Sequence, residues 1–283
     1  MTTVFKNLSE KEYNEIPALR SSIITTIDRQ TMAHAKAQID GAYKPTASQK
    51  LGIDAHCYLL TKEKFEKEYG VFSEGYNGST KEGKAEKAAL LEKYQPENLI
   101  KYEALQEIKA WEKSILADPF TKALYEGIYE TELTIVWEED GILCKARIDA
   151  LSKVNGQIIP LDFKTASSAS EDEFTRSLVK WQYPIQAFHY LEGLKKSGII
   201  ENNNNNFCHL VLEKSAPYLV APYVIDDGSL DLASVRRYHS MKKYALAMST
   251  GSWPGYPSGI STIAYPHWYI QQQQDTQQVT TFN

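Results

Sequence analysis

The sequence of 283 residues lacks several features that mark common classes of protein. It has no run of about 18 apolar residues, so a membrane span is not expected. Its start, MTTVFKNLSEKEYNEI, lacks the basic residues and apolar stretch of a signal peptide. It has no glycine-rich phosphate loop and no dinucleotide fingerprint, which argues against a small-molecule enzyme. We therefore expect a cytoplasmic protein that does not bind membranes.

Cysteine is also scarce, and acidic residues outnumber basic ones. The three cysteines, Cys57, Cys144 and Cys208, are far apart and form no CxxC pair. Neither a disulfide framework nor a zinc site is expected from them. The formal net charge of -5 argues mildly against binding to nucleic acid. It does not exclude a DNA enzyme, because such an enzyme needs only a local basic surface and its active-site carboxylates lower the total.

The N-terminal part of the chain has mainly helical patterns. Residues 51–60, LGIDAHCYLL, predict an apolar helix in which Asp54 and His56 are the polar exceptions. Charge-rich helices are predicted over residues 81–94 and 102–116, and residues 1–45 predict an N-terminal arm followed by a helix. The charges of residues 81–93 are typical of a solvated helix face.

Residues 129–164 change from helical to strand-like patterns. YETELTIVWEED alternates apolar and polar residues as a half-buried strand does. The pairs Asp140-Gly141 and Asn155-Gly156 are typical of tight hairpin turns. The segments ILCKARIDAL and QIIPLDFK follow these turns as a second and a third strand. Three strands joined in this way predict an antiparallel meander.

The remaining elements complete an α/β pattern. Ser170-x-x-Glu173 predicts a capping box that opens helical sequence, and the next helix carries Gln186 and Tyr190. FCHLVLEK and YLVAPYVI predict two further strands, and residues 229–248 predict a C-terminal helix.

We expect a single α/β domain over residues 1–270. Its expected parts are a mainly helical region (1–128), a sheet with the Gln186 helix (129–225) and a C-terminal helix with a closing segment (226–270). The glutamine-rich residues 271–283 predict a disordered tail.

Two charged residues stand inside the third predicted strand. Asp162 and Lys164 are two positions apart, so they project from the same face, whereas Leu161 and Phe163 project into the core. Charges within an apolar strand are costly unless they are paired or bound to a metal. Asp149 precedes them in the pattern Asp149-x12-Asp162-x-Lys164, and one hairpin turn brings the two aspartates together.

This pattern suits phosphodiester hydrolysis. Two carboxylates provide the hard oxygen ligands that Mg²⁺ prefers, and the ion would activate a water and shield charge on the phosphate. Lys164 would hold that water or stabilise the developing negative charge. Arg147 shares the face of Asp149 and is a candidate for contact with a DNA phosphate. Glu132 is a candidate further carboxylate and His56 a candidate nitrogen ligand.

Several segments together resemble the RecE-like (exonuclease VIII-like) family of PD-(D/E)xK nucleases. They are the histidine-containing LGIDAHCYLL, ETELTIVWEEDGILCKARIDAL, IIPLDFKTA, the Q-x-x-x-Y segment YPIQAFHYLEG, GSWPGYP at 251–257 and the opening LSEKEYNEIPALRSSIIT. The resemblance covers roughly residues 7–268. It implies a restriction-endonuclease-like core, which is a mixed sheet beginning with an antiparallel meander, flanked by helices and extended by N-terminal helices.

The resemblance also implies roles for individual residues. His56, Asp149, Asp162 and the carbonyl group of Phe163 would bind Mg²⁺, for which Mn²⁺ would substitute. Lys164 would be catalytic together with both aspartates, and Glu132 would add a carboxylate. A set of DNA-binding residues is expected, which consists of Arg147, Gln186, Tyr190, Arg20 and Ser22.

The activity implied by the resemblance is digestion of double-stranded DNA from its ends. Such enzymes work 5′ to 3′, form rings that enclose DNA, here a trimer or tetramer, and cooperate with a single-strand annealing protein of the RecT type. The gene would belong to a phage, a prophage or the bacterial host. The alternatives are a structure-specific endonuclease on the same core and a DNA-binding protein without catalytic activity.

Several of these residues also have simpler interpretations. His56 alone is typical of a core histidine, Glu132 of a solvent-facing strand residue, and Gln186 and Tyr190 of packing one helical turn apart. Arg20 and the two serines after it suit either a terminal 5′-phosphate or a helix N-terminus. The aromatic residues at 267–270 suit subunit contact or packing better than base stacking.

Overall fold

The computed structural model describes residues 1–6, 8–41 and 46–272. The strands are β1 (Thr2–Phe5), β2 (Gly70–Val71), β3 (Leu99–Ile100), β4 (Ile128–Glu139), β5 (Ile142–Val154), β6 (Gln157–Ala166), β7 (Cys208–Glu213) and β8 (Val220–Val224). The helices are α1 (Glu10–Glu15), α2 (Ser21–Arg29), α3 (Met32–Ile39), α4 (Ala47–Leu60), α5 (Lys62–Glu68), α6 (Lys81–Leu91), α7 (Tyr102–Ala117), α8 (Pro119–Glu126), α9 (Glu171–Trp181), α10 (Tyr183–Lys196) and α11 (Asp227–Thr250).

Six of the strands form one mixed sheet in the order β1-β4-β5-β6-β7-β8. The strands β4, β5 and β6 are antiparallel neighbours, which confirms the predicted meander. β6 then pairs in parallel with β7, and β8 closes the sheet antiparallel to β7. The predicted mixed α/β fold is therefore confirmed.

The two turns of the meander have the predicted residues in the required conformation. Asp140 and Gly141 have φ angles of 50° and 76°, and Asn155 and Gly156 have φ angles of 50° and 83°. Two successive residues with positive φ make a type I′ turn, whose twist matches that of the strands on either side. The Asn155-Gly156 turn thus fixes the register of β5 and β6 that brings Asp149 close to Asp162.

Helices cover both faces of the sheet. On one face, α2, α10 and α11 bury apolar side chains against β4 and β5, with Ile24, Trp137 and Leu194 at the centre of this core. On the other face, α4, α7 and α8 form a second core in which Trp111 and Leu161 are fully buried. No helix in the described ranges has the length and apolar character needed to cross a lipid bilayer.

A buried network of polar groups joins α10 and α11 to the sheet. Arg237 is 2% exposed and donates to both carboxylate oxygens of Glu139, at 2.7 and 2.9 Å, and to Nδ1 of His189 at 3.0 Å. His189 in turn donates from Nε2 to the main-chain oxygen of Lys145 at 3.1 Å. Because each buried group has a partner, the network holds α10 at a fixed position against β5.

The N-terminal region and the start of α9 differ from expectation. Residues 1–41 contain β1 and three helices rather than an arm and one helix. The helix α9 begins after Ser170, but the predicted capping box is wrong, because the Ser170 side chain makes no cap hydrogen bond. Its hydroxyl instead accepts a hydrogen bond from that of Ser168, and Glu173 pairs with Arg176 one turn along the helix.

The C-terminal segment leaves the body of the protein after α11. Pro254 accepts a hydrogen bond from the amide of Ala33 at 3.1 Å, and the Tyr256 ring contacts His34 edge-on. Beyond this point the segment is exposed, and Ile260 and Trp268 have exposures of 104% and 65%. Residues 267–272 are helical, and the rest of the predicted disordered tail, 273–283, lies outside the described residues.

Candidate active site

The two predicted carboxylates meet where β5 and β6 begin to separate. The register pairs Ala150 with Leu161, so Asp149 and Asp162 occupy the next position along the two strands. The amide of Phe163 donates to Oδ2 of Asp149 at 3.0 Å. The Asp149 side chain of β5 thus accepts a hydrogen bond from the main chain of β6. This bond holds both carboxylates at the same end of the hairpin.

Asp162 is 1% exposed and has three side-chain partners. Gln186 donates to its Oδ1 at 2.9 Å, and His209 Nδ1 and Lys164 Nζ lie 2.9 and 2.5 Å from its Oδ2. Burial alone would raise the pKa of Asp162, but the Lys164 ammonium and the hydrogen bond from His209 outweigh burial and lower the pKa. Asp162 is therefore ionised at neutral pH.

Lys164 lies beside this carboxylate and over an aromatic ring. Its Nζ is 5.0 Å from the centre of the Tyr183 ring. Burial would lower the pKa of the lysine, but the charges of Asp162 and Asp149 outweigh burial and raise it. Lys164 is therefore a cation with a fixed position and can stabilise negative charge on a phosphate.

Asp149 differs from Asp162 in its ionisation. Burial raises its pKa to about 6, and the nearby Asp162 adds to the rise, while His56 opposes it. His56 Nδ1 is 3.5 Å from Oδ2 of Asp149, and His56 Nε2 is 2.9 Å from the main-chain oxygen of Phe163. Although burial lowers the pKa of His56, these two neighbours outweigh burial and raise it.

The donor set at this site fits a small divalent cation. It offers oxygens from Asp149, Asp162 and the Phe163 carbonyl, and a nitrogen from His56, which is the chemistry that Mg²⁺ and Mn²⁺ accept. His56 Nε2 lies 2.9 Å from the Phe163 oxygen, so these two donors are adjacent.

The side chains alone do not complete such a site. Among the described residues, no three histidine, cysteine or acidic side chains converge so as to hold a metal ion by themselves. A metal ion at this place would therefore also need the main-chain oxygen of Phe163 as a ligand. Asp162 retains acceptor capacity, because a carboxylate offers about four lone-pair positions and three are in use.

Glu132 and Arg147 form an ion pair at the edge of this site. The flanking residues of Glu132 pair with Ala150 and Ile148, so Glu132 lies across from Asp149. Glu132 has a φ of 53°, a backbone conformation that glutamate rarely adopts. The structure therefore places Glu132 close to the other carboxylates. Arg147 is paired with Glu132, so a DNA phosphate would have to replace Glu132 in order to bind Arg147.

The Q-x-x-x-Y residues of α10 lie on the inner side of the carboxylates. Gln186 contacts Asp162 directly and so orients a candidate ligand. Tyr190 packs edge-on against Phe207, with ring centres 5.9 Å apart, and burial raises the pKa of its phenol. Both contacts are with the protein, and contact with DNA stays a prediction for these two residues.

The two residues predicted to bind a 5′-phosphate lie at the start of α2. Arg20 occupies the N-cap position without a side-chain cap, and its guanidinium donates to Asn14 at 3.1 Å. Ser22 is exposed in the first turn of the helix. Burial raises the pKa of Tyr13 to about 12, and the charges of Arg20 and Arg147 oppose this rise, so both arginines lie near this tyrosine.

The sequence analysis missed His209 and Tyr183. His209 lies in β7 opposite Asp162, and Tyr183 lies under Lys164 at the start of α10. The sequence holds a signal for His209, because the segment FCHLVLEK places one polar ring inside an apolar strand, as QIIPLDFK does with Asp162. No comparable signal marks Tyr183.

The mixed sheet with two carboxylates and a lysine at the divergence of a hairpin defines a PD-(D/E)xK-type domain. In agreement, residues 19–264 match the family described as PDDEXK-like domain of unknown function (DUF3799). The chain belongs to this family. No curated protein matches it.

A solved structure shares this fold. A candidate exonuclease from Eubacterium rectale has a TM-score of 0.58 and 14% sequence identity, over 92% of this chain and 97% of that chain. At this identity the similarity shows the fold alone. SSO0001 is a weaker match, with a TM-score of 0.26 and 14% sequence identity over 81% of this chain and 96% of that chain. Protein VC1899 from Vibrio cholerae has a TM-score of 0.23 and 12% sequence identity over 88% of this chain and 59% of that chain.

Proposed function

We propose that this protein is a Mg²⁺-dependent exodeoxyribonuclease of the RecE-like type, which degrades double-stranded DNA from its ends. The observation that carries the proposal is the meeting of Asp149, Asp162 and Lys164 at the point where β5 and β6 separate. A hydrolase for phosphodiesters needs this combination of metal-binding oxygens and a fixed cation. The resemblance of the surrounding segments to RecE-like enzymes supports action on duplex ends.

Each residue of the site would have a separate role. Asp149, Asp162, the Phe163 carbonyl and His56 would hold the ion, which when bound polarises the phosphate and lowers the pKa of water. Lys164 would stabilise the negative charge that develops on the phosphate oxygens. Outside the metal-binding set, Glu132 keeps Arg147 beside the site.

The direction of cleavage, the ring and the recombination role belong to the same proposal. Digestion 5′ to 3′ would leave 3′ single strands, which an annealing protein of the RecT type would pair with a complementary strand. A ring of three or four subunits around DNA would make digestion processive. It is also compatible with the net charge of -5, because only the bore needs to be basic.

Digestion of linear and covalently closed circular duplex DNA tests the proposal. With Mg²⁺ we expect the wild-type protein to degrade only the linear DNA, and EDTA to stop it. Asp162→Ala should lower the rate by at least about a thousandfold, equivalent to about 4 kcal/mol of barrier. Asp231→Ala, which removes an exposed carboxylate of α11, serves as the matched control and should leave the rate unchanged.

Other outcomes would correct the proposal in defined ways. Cleavage of the closed circle would identify an endonuclease on the same core. Absence of cleavage of both DNA forms by folded protein would favour a binding protein without catalysis. Duplexes labelled at the 5′ or the 3′ end separate the two directions, since the label at the attacked end is released first.

A further inference from the structure

His209 occupies the position next to Asp162 in the sheet. β6 and β7 are parallel, and their register pairs Asp162 directly with His209. The imidazole is fully buried, and its Nδ1 lies 2.9 Å from Oδ2 of Asp162. The histidine is therefore in direct contact with a candidate metal ligand and is itself shielded from solvent.

The hydrogen bond determines which ring nitrogen carries the proton. An ionised carboxylate only accepts, so Nδ1 of His209 must donate. Nε2 is buried and has no hydrogen-bond partner within the described part of the chain. An unsatisfied buried acceptor costs about 1–3 kcal/mol, and an apolar residue would fill the same volume without this cost. The bond to Asp162 is thus a polar interaction that an apolar residue of similar volume could not provide.

Aromatic rings restrict the orientation of the imidazole. The ring centres of Phe174, Tyr183 and Phe207 lie 5.7, 5.4 and 5.2 Å from that of His209. We call these three rings the aromatic cage. Tyr183 also contacts the ammonium of Lys164, so one ring supports both groups that approach the same carboxylate oxygen.

From this geometry we propose that His209 is a positioning residue, which holds Asp162 in the orientation needed to bind the divalent ion. The proposal rests on the proposed function and deepens it. Groups that orient metal ligands in this way typically change metal affinity by about 10–100-fold when they are replaced. His209 acts through Asp162 and does not itself reach the ion or the DNA.

Three variants of the full-length protein separate positioning from packing. His209→Leu removes the hydrogen bond and keeps an apolar side chain in the cage. His209→Asn keeps a donor, because the amide nitrogen of asparagine lies as many bonds from the main chain as Nδ1 of histidine does. Phe174→Leu is the matched control, since it loosens the cage and leaves the bond in place.

Calorimetric titration with Mn²⁺, in the absence of DNA, is the main measurement. We expect His209→Leu to weaken Mn²⁺ binding by about 10–100-fold, and His209→Asn to recover most of that loss. Phe174→Leu should bind Mn²⁺ as the wild type does, even if its melting temperature falls. Nitrogen-15 NMR of the metal-free wild type should show a proton on Nδ1 of His209 and none on Nε2.

The results that overturn the proposal differ from those that overturn the function. Wild-type affinity for Mn²⁺ in folded His209→Leu, or equal losses in His209→Leu and Phe174→Leu, would overturn positioning by His209 while leaving the nuclease intact. A proton on Nε2 in the NMR spectrum would also overturn it. A wild-type protein that neither binds Mn²⁺ nor cleaves DNA would overturn both. If His209→Leu does not fold, failure of folded His209→Asn to bind Mn²⁺ near the wild-type level overturns positioning.

Discussion

Asp149 lies in an environment that disfavours its ionised form. Its pKa of about 6 exceeds the ordinary value of 3.8, because the carboxylate is buried and lies near Asp162. A raised carboxyl pKa stabilises the folded protein at low pH, and this contribution disappears as pH rises through about 6. Ionised Asp149 thus makes the metal-free protein less stable at pH 8 than it would be with a neutral side chain.

Replacing Asp149 by asparagine tests how much the ionised carboxylate destabilises the metal-free protein. We expect Asp149→Asn to raise the free energy of unfolding of the metal-free protein at pH 8 by up to about 3 kcal/mol, and to abolish cleavage. The gain should nearly vanish at pH 3, which lies below both the ordinary pKa of 3.8 and the raised one, so that Asp149 is protonated in both states. Urea denaturation in EDTA at the two pH values measures it, with exposed Asp231→Asn as control. A destabilised Asp149→Asn at pH 8 would show that contact with His56 outweighs burial.

The polar residues of the site could be predicted from sequence to different extents. Asp162 and Lys164 could be recognised, because a strand period of two puts both on one face and the surrounding strand is apolar. His209 and Gln186 could not be assigned to Asp162, since their contacts depend on which strand and helix lie beside β6. Long-range neighbours of this kind leave no fixed spacing in the chain.

At the scale of elements, α10 approaches the sheet unusually closely at one glycine. A Cβ atom on Gly193 would lie 2.7 Å from Cζ3 of Trp137, whose ring is fully buried in β4. Both Gly193 and the Trp137 ring are buried, so the absence of a side chain at Gly193 sets the distance between α10 and β4. The same helix carries Gln186, which means that this contact also sets the depth of Gln186 relative to Asp162.

Alanine substitutions at two helical glycines test this contact. Gly193→Ala should destabilise the protein by about 1–3 kcal/mol through overpacking and should lower nuclease activity by moving Gln186. Gly52→Ala in α4 is the matched control, because its Cβ would meet only Thr165 Oγ1 at an ordinary 3.9 Å. It should stabilise the protein by up to about 1 kcal/mol through helix propensity. Equal melting temperatures for both variants would contradict this interpretation.

Local patterns predicted the meander but not the strand that extends it. The dipeptides Asp-Gly and Asn-Gly strongly favour the type I′ turn. The strands on either side of them alternate apolar and polar residues clearly. β1 has only four residues, all exposed, and it pairs with β4 more than a hundred positions along the chain. Nothing within its own four residues distinguishes such a strand from an extended arm.

The whole molecule combines a negative net charge with a proposed substrate that is also negative. The charge of -5 would repel DNA unless cations gather on the surface that faces it. In the proposed ring, each subunit would turn its cleavage site and nearby arginines toward the bore. The association of subunits is therefore part of how an acidic protein would hold DNA.

Light scattering after size-exclusion chromatography measures this association. We expect a mass three or four times that of the 32.1 kDa chain, and digestion that continues on one DNA molecule when unlabelled competitor DNA is added. A monomer of 32.1 kDa that digests each molecule in short steps would refute the ring while leaving the exonuclease in place. The measurement is made in moderate salt, because charge repulsion between acidic subunits is screened there.

The connection from β6 to β7 has a consequence for the inheritance of this chain. Asp162, Lys164, Gln186 and His209 all lie between the turn at 155–156 and the loop after β7, so one uninterrupted stretch of gene encodes them. Genetic exchange with breakpoints in those two surface turns would transfer the four residues together, with their mutual contacts intact. The recipient would also need an aspartate at the facing position of the preceding strand, a histidine on the covering helix and a residue that packs against Gly193 as Trp137 does.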